Sequence, residues 1–444
     1  MTKELNISKR FTLSSLMLAL AVVLGFGIFT TQGANAQLVC RVQQITDEPV
    51  DDSDQTTISG DGNLIAFRSE ANFTGQNIDN NDEIFIYNVR KNEFTQATFS
   101  TGGSNGNPDI SSDGKFIAFD SRADINGVPN NGSRQVFLHD VMTGTNTQIT
   151  NGDKNSDAPV INGLNNQIAF VSQADLTGDN LLNLTQIFLF NITNGTFQQI
   201  TNSVFGITVF PSSNFEGNRV AFESSANLTG QNPAPGAIRE IFLYNRDTDS
   251  LTQITHNTAG SASVTDSSID ESGNLIALAS SANPNGGGMS FPGGSQLYLF
   301  DGTSPIELVT EGQEPGLGVA AISGDGSCIA FTSNVDITGQ NPQEGDQIFH
   351  VNLDTRIFTQ LTNFQPGDGN PPRDPRPNGD CTRISYHRQV ATGGPNVGQI
   401  FLATCLDPAT ARNIPTLSEW GLIAMAAVLG IVGLLVVRRR VQAA

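Results

Sequence analysis

The sequence predicts an all-β fold, a seven-bladed β-propeller with four-stranded blades, on three observations. The first is a repeat. The triplets Ile65-Ala66-Phe67, Ile117-Ala118-Phe119, Ile168-Ala169-Phe170, Val220-Ala221-Phe222, Ile276-Ala277-Leu278, Ile329-Ala330-Phe331 and Ile384-Ser385-Tyr386 recur every 51 to 56 residues, a period of propellers and solenoids. The second is a fixed succession of segments after each triplet: a polar loop, a second apolar run such as Glu83-Ile84-Phe85-Ile86-Tyr87, and a short segment of the Thr-Gln-Ile-Thr kind. The third is a displaced piece. The seventh copy lacks its last strand, and a matching segment, Val42-Gln43-Gln44-Ile45-Thr46, stands ahead of the first copy. A ring in which the N-terminal strand completes the last blade explains both, and leaves no open end.

Residues 1–36 read as a signal peptide. Lys3, Lys9 and Arg10 precede an apolar run at 11–29, and Ala34-Asn35-Ala36 fits a small-residue cleavage site. Signal peptidase is the implied partner. Val39, not a small residue, precedes Cys40, which excludes a lipoprotein. The propeller is expected over 37–410. Within each copy a segment leads into a turn, Asp61-Gly62, Asp113-Gly114 or Asp325-Gly326, where glycine tolerates the positive φ of a tight hairpin. β-branched and aromatic residues then fill the strands. Phe67, Phe119, Phe170, Phe222 and Phe331 close the triplets, and Phe85, Phe137, Phe188, Phe242, Phe349 and Phe401 sit in the second apolar runs. These are expected to pack blades, not to form a carbohydrate-stacking platform.

Four cysteines in an exported chain make disulfides reasonable, with three pairings open. Cys40 stands just before the closing strand and Cys405 just after its expected neighbour, so this pair would staple the ring. Cys328 and Cys381, in roughly equivalent turns of adjacent blades, are the candidates for a second bond. The alternative is buried, reduced thiols.

At the other end, Ile414-Pro415-Thr416-Leu417-Ser418-Glu419-Trp420-Gly421 leads into an apolar run at 422–437 and then Arg438-Arg439-Arg440. The run is slightly short for a membrane helix, and the arginines predict a cytoplasmic end. Residues 411–444 resemble the IPTLxxWG-CTERM sorting signal of Gram-negative bacteria, carried by Ile414, Pro415, Thr416, Leu417, Trp420 and Gly421. The resemblance implies a transient stay in the inner membrane, recognition by an exosortase-type transpeptidase, and delivery to the cell surface or outside. Trp420, the one tryptophan, would equally suit a plain interfacial anchor.

The blades resemble the TolB-like, WD40-like (PD40) repeat, through the Ser-x-Asp-Gly turns, the Ile-Ala-Phe-x-Ser strands, the Gln-Ile-Phe-Leu strands and the Thr-Gln-Ile-Thr strands. That resemblance implies the fold. It does not imply a TolB-type lipoprotein partner, because no separate domain precedes the propeller here.

Chemistry is sparse. A formal charge of −20 favours solubility and disfavours nucleic acid and acidic membrane surfaces. The recurring loops Ala71–Asn77, Ala174–Asn180, Ala226–Asn232 and Val335–Asn341 are oxygen-rich. Their Asx and Thr side chains either cap turns or, with Asp79, Asn81 and Asp82 after the first loop, hold calcium. None has EF-hand spacing. Gly102-Gly103-Ser104-Asn105-Gly106 fits G-x-S-x-G but lacks the strand-to-helix context of a nucleophile elbow. His139, His256, His350 and His387 have no zinc spacing. His139 and His350 are expected to be structural residues where other blades have aromatic neighbours. Oligogalacturonate lyase-type enzymes use propellers too, but their metal-binding histidines find no match here. Irregular stretches at 284–294, 311–318 and 365–376 are the candidate contact segments.

The expectation is an exported, monomeric, non-enzymatic propeller with no certain cofactor, binding a protein or glycan. The alternatives are a periplasmic TolB-like interaction protein held by its tail in the inner membrane, and a propeller hydrolase or lyase.

Overall fold

Strands of the Ile-Ala-Phe type bury both faces only when each sheet lies between two others. A ring of sheets supplies that at every position. The computed structural model describes residues 39–127, 132–232, 235–236, 238–257, 264–286, 294–303, 305–310, 316–365, 370–391 and 396–406. The signal-peptide and sorting-tail expectations lie outside these residues. Among them no helix is long and apolar enough to cross a membrane.

The described strands form seven four-stranded antiparallel sheets. In blade 1 they are Ser53–Ile58, Leu64–Ser69, Glu83–Asn88 and Glu93–Gln96, numbered first to fourth from the axis outward. Blades 2 to 6 repeat this order along the chain. Blade 7 combines Arg373–Pro377, Arg383–Ala391 and Asn396–Leu406 with the N-terminal strand Val39–Gln44.

Second and third strands pair in one register throughout. Phe67 faces Phe85, Phe119 faces Phe137, Phe170 faces Phe188, Phe222 faces Phe242 and Phe331 faces Phe349. These rings stack with centroids 5.5 to 6.0 Å apart and are fully buried. They are blade-packing residues, each contributing about 1.5–3 kcal/mol by burial. Ile65 and Phe67 of blade 1 pack on Ile400 and Leu402 of blade 7, while Ala66, Ile84 and Ile86 pack on Ile117 and Phe119 of blade 2. One face of each sheet thus meets the preceding blade and the other the next one.

A buried clasp ties the third strand of every blade to the end of its fourth. Its acceptor is Glu83, Gln135, Gln186, Glu240, Gln296, Gln347 or Gln399. A threonine hydroxyl, from Thr98, Thr150, Thr201, Thr255, Thr310, Thr362 or Thr46, donates to it. The same hydroxyl accepts the backbone N–H of the next third-strand residue, as Ile84 gives to Thr98 at 2.9 Å. In blade 7, Thr46 donates to Gln399 at 2.7 Å and accepts from Ile400 at 2.9 Å. The displaced N-terminal strand therefore closes the ring with the bonds that every other blade makes within itself.

The Asp-Gly turns are wider than two-residue hairpins. Ile58 pairs with Ile65, leaving six residues between. The Asp61 carboxylate accepts from the Ser59 hydroxyl at 2.8 Å and the Asn63 amide at 3.0 Å, and the left-handed conformation falls on Gly62 alone, at φ 69°.

Disulfides join Cys40 to Cys405 and Cys328 to Cys381. Cys40 lies directly opposite Cys405 in the closing pair of strands. Cys328 and Cys381 are not in equivalent places. Cys328 opens the second strand of blade 6, as Leu64 does in blade 1. Cys381 takes the left-handed turn position of blade 7, at φ 58°, where Gly62, Gly114, Gly217, Gly273 and Gly326 stand in other blades. Those glycines meet the same partner position of the preceding blade: a Cβ on Gly114 would stand 3.0 Å from Leu64, and one on Gly326 2.8 Å from Leu275. The disulfide replaces a contact that the repeat already makes.

Because the Cys40–Cys405 bond closes 365 residues of sequence, the Cys40→Ser, Cys405→Ser double variant is expected to lose about 2–5 kcal/mol. Its guanidinium midpoint, compared with the wild type, reads this. An unchanged midpoint would mean that the Thr46–Gln399 clasp closes the ring unaided.

Candidate ligand channel and its mouth

The first strands of all seven blades line an axial channel of about 490 Å³. Each first strand carries a β-bulge, seen as a register shift such as that between Asp54 and Thr57. Such a bulge leaves a residue unpaired and re-aims its side chain. The bulge residues Gln55, Asn107, Ala158, Phe210 and Asp374 are all left-handed, at φ 47 to 53°, and all border the channel. They form its mouth.

Deeper, Thr57, Asp109, Val160, Ser212, Ser268, Ala321 and Arg376 line the wall. Several stitch neighbouring blades: Asp109 accepts the Ile161 amide at 2.8 Å, Ser212 that of Ile269 at 3.1 Å, and Ser268 that of Ile322 at 3.3 Å. Burial pushes the Asp109 carboxyl up to about 6, against the pull of the Ile161 amide and the Arg376 charge. Arg376 is exposed to the channel space.

At the far end the turns draw together. Backbone bonds run from Gly60 to Ser112, Gly379 to Gly60, Asp325 to Gly379, Glu271 to Gly324, Phe215 to Glu271 and Leu164 to Phe215, at 2.8 to 3.1 Å. Glycine permits this approach, since a Cβ on Gly379 would lie 2.8 Å from the Gly60 carbonyl oxygen. Two large side chains fill the space left. The Phe215 ring covers Gly163, and Glu271 of blade 5 accepts from the Ser112 hydroxyl of blade 2 at 2.7 Å, across the axis. The channel therefore narrows at this end and opens at the bulge end.

The mouth is two-sided. Over blades 7, 1 and 2 it is charged. Arg68 makes a bidentate pair with Asp54, at 2.6 and 2.7 Å, and Arg134 pairs with buried Asp120. Next to this pair, in blade 3, Asp157 is pushed up to about 6 by burial and by the Asp120 charge. His387 Nδ1 lies 3.6 Å from Asp374, and burial lowers the imidazole pKa against the pull of Asp374 and Asp54. Over blades 3 and 4 exposed apolar side chains concentrate. Leu181, Leu182, Val204, Phe205, Ile207 and Phe210 are exposed there. Of the eleven exposed large hydrophobics among the described residues, only Met142 and Leu164 lie on the narrow-end side. Such a one-sided apolar concentration marks an interaction face. Phe210 stands out, being half exposed and left-handed. That backbone is a costly one for a bulky residue. The Arg239 guanidinium lies 6.0 Å from its ring centroid, and Arg239 pairs with Glu223 at 3.3 Å.

The calcium candidates stand in the first blade. Asp79 is exposed, the Asn81 amide donates to Ser100, and Asp82 lies 3.7 Å from Arg68. In the recurring loops, the last asparagine is buried and caps the loop: Asn77 donates to the carbonyls of Glu70, Ala71 and Asn81, and Asn180 to those of Gln173, Ala174 and Leu184. Among the described residues, the one group of three or more His, Cys, Asp or Glu side chains placed to share a metal ion is Cys328, His350 and Cys381, away from the channel wall. No histidine among the described residues lines that wall. His139 stands at the position of Tyr87 and Tyr244, whereas His350 stands where blades 1 and 2 have Ile86 and Leu138, on the opposite sheet face. Phe205 and Phe210 were invisible to the periodicity of the strands. The available signal was the bulge position itself, which is polar or small in blades 1, 2 and 3, as Gln55, Asn107 and Ala158.

Residues 414–440 match the IPTL-CTERM motif, and the chain carries that motif. No curated protein sequence matches it. Similar solved structures include an oligogalacturonate lyase from Vibrio parahaemolyticus, 15% identical with a TM-score of 0.58, covering 83% of this chain and 97% of that one. An oligogalacturonate lyase in complex with manganese is 12% identical, also at 0.58, covering 84% and 97%. TolB from Acinetobacter baumannii is 15% identical at 0.42, covering 73% and 76%. At these identities the lyases share the fold.

The buried clasp and the strained mouth are each open to test. Burial raises Glu240 from 4.5 to about 7. Between those values the folded chain holds a proton that the unfolded chain releases, so stability falls as pH rises through the window and levels off above it. Relative to the wild type, Glu240→Gln, the residue of five other blades, is expected to gain about 1–3 kcal/mol between pH 4.5 and pH 7.5; a stability difference that does not change with pH would show that Glu240 carries no such penalty. Phe210→Gly is expected to keep or raise stability by up to about 1 kcal/mol, whereas a packing role would cost about 3 kcal/mol.

Proposed function

We propose that this chain is an exported, non-enzymatic binding propeller, delivered to the cell surface through its C-terminal signal. Residues 1–36 are removed by signal peptidase. Residues 37–410 form the working domain. Residues 411–444, with a membrane segment at 422–437, are removed by an exosortase-type transpeptidase. The IPTL-CTERM match at 414–440 carries this reading. The signal-peptide pattern at the other end of the chain and the two disulfides support it, since such bonds persist in oxidising compartments.

Binding is assigned to the channel mouth. A cluster of exposed apolar side chains beside charged pairs, around an opening lined by strained bulge residues, suits recognition of a protein or glycan that presents both characters. The channel wall spends its hydroxyls and Asp109 on the amides of neighbouring blades, which is structural work rather than acid–base chemistry. The lyase likeness, at 12 to 15% identity, extends to the fold.

Fractionation of native cells and intact mass of the recovered protein test the sorting. The expected species is at the surface or released, and lacks residues 1–36 and everything after the Ile414 region. A membrane-bound species keeping Trp420 and the terminal arginines would overturn sorting and make the chain an anchored periplasmic propeller.

A further inference from the structure

The junction between blades 6 and 7 departs from the other six in chemistry. The position held by Leu64, Phe116, Gln167, Arg219, Leu275 and Arg383 is Cys328 here, and the facing turn position, glycine or asparagine elsewhere, is Cys381. The third-strand position that is Ile86, Leu138, Leu189, Leu243, Leu299 and Leu402 elsewhere is His350. A disulfide accounts for the two cysteines. It does not account for the histidine. His350 is 5% exposed, and its Nδ1 has no hydrogen-bond partner. A buried unsatisfied nitrogen costs about 1–3 kcal/mol, in a place where six blades use an aliphatic side chain. An imidazole nitrogen of His350 and the sulfurs of Cys328 and Cys381 all lie within 4.8 Å of one another.

We propose that, in their thiol form, Cys328 and Cys381 bind a soft divalent cation together with His350, zinc being the representative ion. Two thiolates and an imidazole are ligands that zinc prefers. The Cα atoms of the cysteines are 6.2 Å apart, and the three side chains come from elements that the ring holds in place. On binding, the ion displaces the two thiol protons. In the disulfide form the sulfurs are bonded to each other, and the pair offers no thiolate. The junction thus has two closed states, one covalent and one metal-bound, and His350 serves only the second. The Cys40–Cys405 pair lies in the closing strands and forms no such group among the described residues.

The test uses the full-length chain refolded with a phosphine, which takes the disulfide to two thiols as water supplies the protons and the phosphine becomes its oxide. Cobalt and zinc are then titrated. The reduced wild type is expected to bind one ion with sulfur-to-cobalt charge-transfer absorption, and the oxidised protein to bind none there. Cys40→Ser with Cys405→Ser retains the signal, and Cys328→Ser with Cys381→Ser abolishes it. His350→Leu weakens zinc binding at least tenfold, while its oxidised form keeps the disulfide by mass and melts no lower than wild type. Absence of the thiolate signal in the reduced wild type, or zinc affinity unchanged by His350→Leu, would overturn the proposal. Should His350→Leu fail to fold, the two cysteine double variants, read by cobalt absorption, decide whether this pair holds the ion.

Discussion

A ring must end where it begins, and the closing blade is the constraint on which everything else rests. Each sheet is covered only because another lies on either side, so a gap would expose two apolar faces at once. Here the gap is filled by a strand from the opposite end of the domain. Val39–Gln44 pairs along the last third strand. Thr46 then enters the Gln399 clasp, and Cys40 bonds Cys405 at the far end of the same pairing. One end of that strand is locked covalently and the other by a buried hydrogen-bond network. A chain emptied of either lock still has the other, which is why the closure tolerates being built from residues more than 350 positions apart.

The clasp also explains why the third strands tolerate a buried polar residue at their start. In the glutamine blades the side-chain oxygen accepts from threonine and the nitrogen donates to a backbone carbonyl, as Gln135 does to Gly152 and Gln186 to Ser203. With glutamate the second atom cannot donate. The two glutamate blades compensate by changing the neighbour: Asn105 donates to Glu83 and Asn257 to Glu240. The hydrogen bonds are kept in number, yet desolvation still raises both carboxyl groups. A charge buried without a countercharge remains costly even when it is well hydrogen-bonded.

Much of this was legible in the sequence because the repeat is spelled by packing residues. The Ile-Ala-Phe triplets give blade number and strand register, since a side chain that must face a neighbouring sheet cannot change character without cost. The displaced strand was legible for the same reason. What escaped was geometry that the repeat does not spell. The two cysteines of blades 6 and 7 occupy opposite halves of one inter-blade contact, two positions apart in the repeat, and only the left-handed turn at Cys381 reveals it. His139 and His350 looked alike in sequence, yet they lie one residue apart in register and so point to opposite faces of their sheets. Phe210 was hidden because bulges break the alternation by which strands are read.

Departures from the repeat therefore carry more functional information than the repeat itself. Regular positions are determined by their neighbours. An irregular one needs another cause, and its surroundings say which kind. At the narrow end, Phe215 and Glu271 are irregular but consumed: one covers Gly163 and the other spans the axis to Ser112. They narrow the channel and are held by contacts within the ring. At the mouth, Phe210 is irregular, strained and half exposed. Its neighbours in the fourth blade, Val204, Phe205 and Ile207, are exposed as well. A domain that uses its large side chains to narrow one end of its channel, and leaves them bare at the other, presents its working surface at the open end.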